Sequence, residues 1–582
     1  MVSLPQPPAL GQPVPSSHHA VSVQLPTWDD IKEIFTGAKR MQDVQMAGYP
    51  RSFIHEDVKK LHQVCIDEFA NDSAACFLFP SIDYANGCVQ FATSSAIHQE
   101  DAIADHLLSI RSLKIELEAS GKDQPDLMML HAVFCPADIT KPVKEFWRLV
   151  GAGISSRLAQ HCMDYMRSIS DVTGKPDTLH PLIQRRMSGF PHRKLCQRIA
   201  TLLERAPACA RQRELVSPND VYLYPTGMTA IYQAQQLLSK WRDTQSVVFG
   251  VPYDLTLKLI ETYSRSVCFL PFGKESDLDQ LEEHLVEQAR VGSPVQAIWC
   301  ECPSNPLLRT PNLRHIRKLA DQYGAAVVVD DTVGGFANVD LLGVADILVT
   351  SLTKSFSGKA DVMAGSLVLN PASPFYSDLK RIIEKSYQNH LFSADAIKLE
   401  MNSRDFLDRT ARINDTASYI MRSLKPLVND STCVLTKLYH PELDPRPENY
   451  RAQMRKETKY FKPGYGGLFT MQFEDVELAK VFFNCLNVHK GPSLGAPVTL
   501  AQPYVQTVFH NQIEWAGNCG LHESIVRVSV GMEDKYALLV AFHLALAEAD
   551  RVMAARSNPS PVKTKSGATL TLEGKRLLVG GF

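Results

Sequence analysis

Hydrophobic runs long enough to cross a bilayer are missing from this 582-residue chain. Its longest apolar stretches are strand-sized and bounded by turn residues, which argues against a membrane helix. Net charge is nearly missing too: 61 Lys+Arg stand against 63 Asp+Glu, a formal charge of -2. That balance gives no electrostatic pull toward nucleic acid or an anionic membrane, so neither is expected as a partner. No C-x-x-C pair occurs among the 13 cysteines, and Cys300 and Cys302 flank Glu301 without a second pair to match them. Buried free thiols in a reducing compartment are therefore expected instead of disulfides or zinc, and no metal site is assigned. The opening segment MVSLPQPPALGQPVPSSHHAVSVQLP lacks the basic flank and apolar core of a secretory signal and the arginines of a mitochondrial presequence. The final LLVGGF is neither a peroxisomal tripeptide nor a prenylation box. The expected location is cytoplasmic.

A chain of this length exceeds one compact core, so two or three domains are expected. Hydrophobic content of 45% and charged content of 21% are ordinary for a globular protein. Residues 1–26, rich in Pro and Ser, read as a disordered lead-in. Residues 27–140 read as an N-terminal extension, with strand-like runs at Ala75–Phe79 and Leu127–Phe134 separated by an amphipathic stretch around Ala102–Leu117. From 141 to 390 short apolar runs alternate with helical patterns, notably Ser246–Val251, Gln296–Cys300, Ala325–Val329, Asp346–Val349 and Ser366–Leu369. In Leu313–Tyr323, Leu313, Ile316, Ala320 and Tyr323 share one face and Gly324 stops the helix. Continuous apolar strands between helices predict an α/β domain with a mainly parallel sheet covered on both faces. Residues 391–555 read as a smaller α+β C-terminal domain and 556–582 as a tail.

In open α/β sheets ligands bind beyond the carboxyl ends of the strands, so the residues there carry the chemistry. One run ends in Asp330, Asp331 and Thr332. The next ends in Thr350, Ser351, Leu352, Thr353 and Lys354. Tyr222–Pro225 leads into Thr226, Gly227 and Met228 and then a helical segment, and Gln296–Cys300 leads toward Ser304, Asn305 and Pro306. Pyridoxal 5′-phosphate (PLP) needs this set: a lysine amine, a carboxylate for its pyridine nitrogen, and hydroxyls with helix N-terminal N–H groups for its phosphate. Tyr253, also after a strand end, offers a stacking face. Each feature alone is weak, since strand-end lysines are mostly solvated and Asp330 has the type of a helix cap. Their order and spacing carry the reading.

The stretch VVVDDTVGGFANVDLLGVADILVTSLTKSFSGKADVMAGSLVLNP resembles the cofactor-lysine region of the Cys/Met-metabolism PLP enzymes, the trans-sulfuration group. YLYPTGMTAIYQAQQLL, WCECPSNPLLRTPNLRHI, KGPSLGAPVTLAQPY and IVRVSVGMED extend the resemblance over roughly residues 145–550. HAVSVQLPTWDDI, AGYPRSFIH and the segment Asn402–Phe406 make it nearest to the long fungal type of cystathionine γ-synthase. The resemblance implies the aspartate-aminotransferase-like fold (fold type I) with a seven-stranded-type sheet. It implies Lys354 as the Schiff-base lysine and Asp330 as partner of the pyridinium nitrogen. Thr226, Gly227, Met228, Ser351 and Thr353 would serve the phosphate, Tyr253 would stack on the ring, and Asn305 would lie near the phenolic oxygen. Arg527 would grip the substrate α-carboxylate, and Thr499 would be a further substrate-binding residue. Arg157 would reach the phosphate of a neighbouring subunit, implying a homodimer or homotetramer with interfacial sites.

The sequence departs from the family at three places. Many relatives carry a Tyr-x-Arg pair where this chain has Ser155-x-Arg157, the usual Asp-Asn-Thr is Asp330-Asp331-Thr332, and Ala496-Pro497 follows Ser-Leu-Gly in place of a small polar residue. The implied reaction is γ-substitution on an O-acetyl-, O-succinyl- or O-phospho-homoserine, with cysteine as nucleophile and cystathionine as product. The alternative keeps that chemistry with a carbon or nitrogen nucleophile such as a β-keto acid. Lyase chemistry ranks lower because the fungal-synthase-like segments span the chain, and a non-catalytic binding role ranks lower because Lys354, Asp330, Tyr253 and Arg527 are all present.

Overall fold

Seven strands between residues 221 and 369 form one sheet, in the spatial order Val221–Tyr224, Gly365–Leu369, Ile347–Ser351, Ala326–Asp330, Ala297–Glu301, Ser246–Phe249, Val267–Leu270. All neighbours are parallel except Gly365–Leu369, which runs antiparallel to both of its own. This computed structural model describes residues 4–70, 73–118, 126–175, 189–209 and 214–557. Successive residues of a strand point to opposite faces. Here Val327 and Val329 enter one core with Ile298, while Ala326 and Val328 enter the other with Trp299. Both faces are buried, which explains why these strands read as unbroken apolar runs.

Helix Leu313–Tyr323 has the expected bounds, with Gly324 left-handed (φ 67°) and its N–H on Ala320 O. The small domain carries a five-stranded sheet in the order Leu435–Tyr439, Leu468–Phe473, Ile525–Ser529, Leu500–Pro503, His489–Lys490. Helices Phe406–Leu424, Val476–Cys485 and Lys535–Ser557 cover it through a core that includes Phe469, Phe482 and Phe542. Helix Ser393–Asn402 belongs with the large domain, because Ala396 and Leu399 bury in its core.

The N-terminal region differs from its sequence reading in three ways. The stretch expected to be amphipathic around 102–117 holds a strand, Ser109–Leu117, in which Leu113, Ile115 and Leu117 alternate into a core. That strand joins Ala74–Phe79 and Asp126–Pro136 and also pairs with Met166–Asp171, so the expected boundary at 140/141 does not end this sheet. The lead-in over 4–26 is ordered. Pro13–Val14 pairs with Ser22–Val23, and Val14, Val21, Val23 and Leu25 are almost wholly buried. Val21 N–H donates to Ala360 O and Leu25 N–H to Lys490 O, each at 2.9 Å. Its Pro/Ser-rich composition argued for disorder, but its few apolar side chains find a ready-made surface far away in sequence. The expected tail, apart from Arg556 and Ser557 at the end of the last helix, lies outside the described residues.

Candidate active site

The carboxyl ends of the central strands open into one cavity lined by Gly227, Met228, Tyr253, Asn305, Asp330, Ser351 and Lys354, with Arg527 reaching in from the small domain. Thr226 is the N-cap of helix Gly227–Trp241: its Oγ1 accepts the Thr229 N–H at 3.0 Å and donates to Gly151 O at 3.1 Å. A capped, buried helix N-terminus presents its remaining N–H groups to an anion. Gly227 is required there, because a Cβ would fall 2.7 Å from the Ser351 Cβ.

Asp330 ends its strand facing the cavity, accepts the Thr332 N–H at 2.9 Å, and has no ion-pair partner among the described residues. Burial lifts its carboxyl to about 6. Glu301 accepts the backbone N–H groups of Tyr253 (2.7 Å) and Asn305 (2.9 Å), and burial together with Asp330 pushes it up to about 8. Asp331, raised to about 7 by burial, is bonded to Thr350 and turned away into the protein. An uncompensated carboxylate of this kind calls for a cation. Lys354 Nζ donates to Ser493 Oγ at 2.7 Å, and burial lowers its pKa, which favours a free amine.

The small domain contributes Arg527 from strand Ile525–Ser529. The residue is 5% exposed, and its guanidinium donates to Asn305 Oδ1 (3.0 Å), Gln502 Oε1 (2.6 Å) and Ser493 O (2.7 Å). None of these acceptors is charged, and burial pulls its pKa down to about 10. Such an arginine is suited to receive a carboxylate. Tyr504 OH accepts from Asn305 Nδ2 at 3.0 Å and fixes the amide.

Four expected residues lie off the cavity wall. Thr226 acts through its cap. Thr353 Oγ1 is bonded to both Ala364 O (3.2 Å) and Ala364 N–H (3.1 Å), so it pins the lysine loop and offers nothing to a phosphate. Thr499 holds Glu533 with its N–H and hydroxyl and is fully buried. Arg157 is paired with Asp395 and donates to Asp361 O at 3.0 Å, outside this chain's cavity. Ala496 also faces away: it packs with Val14, Val21 and Ala360 against the lead-in.

Sequence reasoning missed Tyr49, Arg51 and Ser52, which reach the cavity from the N-terminal region. Lys354 Nζ lies 4.4 Å from the Tyr49 ring centroid. Burial opposes the phenolate of Tyr49, but Lys354 and Arg51 outweigh it and hold the phenol down to about 8. The legible signal was the Tyr-x-Arg spacing within AGYPRSFIH, the same pattern that is absent at 155–157.

This donor set fits PLP: the Asp330 carboxylate, without an ion-pair partner among the described residues, for the ring nitrogen, a lysine, an aromatic face at Tyr253 and a glycine-opened helix N-terminus for the phosphate. The sequence over residues 200–547 matches the family described as Cys/Met metabolism PLP-dependent enzyme. The chain belongs to that family. Residues 57–155 match the N-terminal domain of fungal trans-sulfuration enzymes. Among relatives of this PLP enzyme, the protein named alanine racemase ungC of Aspergillus violaceofuscus is 36% identical, over 96% of this chain and all of that one. The cystathionine gamma-synthase-like enzyme iboG2 of Amanita muscaria is also 36% identical, over 93% of this chain and 96% of that one. In structure it is similar to the cystathionine gamma synthase of Xanthomonas oryzae pv. oryzae, with a TM-score of 0.52 and 21% identity, covering 63% of this chain and 87% of the other. That likeness establishes the fold-type I architecture. Among the described residues no helix is long and apolar enough to cross a membrane.

Proposed function

We propose that this PLP enzyme replaces the γ-substituent of an O-activated homoserine, with cysteine as nucleophile and cystathionine as product. The observation that carries the reading is Arg527, a buried guanidinium with only neutral acceptors, set beside Lys354 through their shared partner residue Ser493. When bound, PLP supplies an electron sink for charge developing at the amino acid's α-carbon. Arg527 grips the α-carboxylate and is itself held flat by Asn305 and Gln502. Lys354, with its lowered pKa, takes the proton from Cα and returns protons to the substrate skeleton. Asp330 keeps a positive charge at the ring-nitrogen position. Glu301 holds the Tyr253 and Asn305 backbones against the cavity.

A second reading is racemisation of a small amino acid. It is favoured by the Tyr49 phenol, held near 8 beside Lys354, which supplies a second proton-transfer group, and by the relative named an alanine racemase. Incubation with O-acetyl-L-homoserine and cysteine, followed by mass analysis, should give cystathionine. Failure with the acetyl, succinyl and phospho donors, together with loss of optical activity from L-alanine, would replace the first reading by the second.

A further inference from the structure

We propose that His18, His19, His55 and Asp57 form a binding site for one zinc-class divalent cation, which fastens the N-terminal lead-in to the segment following Tyr49–Ser52. The proposal depends neither on the cofactor nor on the reaction.

Each of the four residues offers one ligand atom, and these atoms all lie within 4.8 Å of one another. His55 Nδ1 and Asp57 Oδ2 are 3.4 Å apart. Neighbouring ligand atoms on a tetrahedral zinc are roughly 3.3 Å apart, given its bond lengths. His18 Nε2 lies 2.6 Å from the same carboxylate oxygen, a contact that opens slightly when both turn to a shared cation.

Asp57 supplies the demand for a cation. It is 7% exposed, and its ion pairs among the described residues are to His18 and His55, with no lysine or arginine. Free imidazole is mostly neutral at pH 7, so a buried carboxylate facing only imidazoles carries an unmatched charge. A metal dication matches it. Arg157 acts on His19 through space, but its charge is spent on Asp395. Glu56 and Asp57 stand in the first turn of helix Glu56–Phe69 and offset the positive end of its dipole.

Two of the rings are already oriented for coordination. His55 Nε2–H donates to His18 O at 2.8 Å, which leaves the Nδ1 lone pair toward Asp57, where it accepts that residue's N–H at 3.2 Å. His19 Nε2–H donates to Gln160 Oε1 at 3.0 Å, which leaves Nδ1 to accept from Ser156 Oγ at 2.9 Å. A hydrogen bond from the second ring nitrogen to an oxygen is what fixes a metal-binding histidine. The cation displaces the two donors now resting on the Nδ1 atoms.

Three imidazoles and one carboxylate fill a tetrahedral site and leave no position open, so the cation is structural. It staples two parts of the active-site wall. Beyond His19 the lead-in reaches Pro492, whose carbonyl accepts from Ser22 Oγ at 2.6 Å, and Pro492 lines the same cavity as Tyr49. Cysteine spacing gave no hint of this site, because its ligands come from two stretches that only the fold brings together.

The test strips the full-length holoenzyme with a chelator and titrates it with zinc against a chromogenic competitor, with cobalt(II) as the geometric probe. One zinc per chain and the intense visible absorption of four-coordinate cobalt are expected. His18→Ala removes a side chain that is 55% exposed, so folding is not at stake. It should weaken zinc binding by about 10²-fold or more, because losing an outer partner alone costs 10- to 100-fold. Asp57→Asn should do the same, and zinc should slow amide exchange in residues 18–25 and 47–57 of the native chain. Equal zinc affinity in native and His18→Ala chains overturns the proposal, as does a six-coordinate cobalt spectrum or unchanged amide exchange. A hydrogen-bonded cluster without metal would then account for the four residues.

Discussion

Arg527 Nη1 donates to the Asn305 side-chain carbonyl at 3.0 Å, joining a small-domain strand to a large-domain loop across 222 positions of sequence. The contact sets the guanidinium plane while leaving its charge unmatched, so the site is built before an amino acid arrives. Its neighbour Gln502 repeats the device at 2.6 Å.

Replacing Arg527 by Ala should raise KM for the amino-acid substrate by about 10²-fold, with a smaller change in kcat, since a charge-assisted contact is made in both ground and transition states. Arg527→Lys should recover part of the loss. Steady-state kinetics check this, and an unchanged KM would remove Arg527 from the carboxylate site.

Lys354→Ala should reduce turnover by about 10² to 10⁴-fold, the scale of a lost acid–base group, while thermal unfolding stays near native. Borohydride treatment of the native enzyme, followed by peptide mass analysis, should find the cofactor attached at Lys354. Attachment at any other lysine would refute the assignment.

Asp330→Asn should weaken PLP binding by about 10-fold or more, because the amide keeps the shape and loses the charge that a ring cation needs. Fluorescence titration of the apoenzyme measures it. Equal affinities would show that no cation sits at this carboxylate.

Acid should destabilise the fold between pH 6.5 and 4. Burial lowers His62 and His440 from 6.5 to about 4 in the folded protein. In that window the unfolded chain takes up protons that the folded chain refuses, so stability is complete above 6.5, declines as pH falls, and loses nothing further from these groups below 4. Each should cost about 2–3 kcal/mol at pH 4. Denaturant unfolding of His62→Gln should show a shallower pH slope than the native protein.

Val23→Ala should lower stability by about 1–3 kcal/mol, since this side chain is 1% exposed within the small-domain core. A disordered lead-in would give no change in Tm.

The central sheet and the residues at its strand ends were legible because their information is local. Apolar runs of strand length, helical spacing in Leu313–Tyr323 and the order Thr226, Asp330, Lys354 all lie within short windows of the chain. Position beyond a parallel strand's carboxyl end then does the rest. Strand Ser109–Leu117 is marked by the alternation of Leu113, Ile115 and Leu117, which the looser amphipathic pattern around it obscures.

What the sequence determined by itself was the chemistry: a lysine, a carboxylate, a glycine-opened helix and an arginine in family order. Only the tertiary structure decided which arginines line this chain's cavity. Composition marked residues 4–26 as unstructured, because burial depends on a partner surface that no local window contains, whereas the Tyr49-x-Arg51 spacing was a local signal. Residue type does not disclose that, within this chain, Thr353 bonds to Ala364 and Arg157 pairs with Asp395.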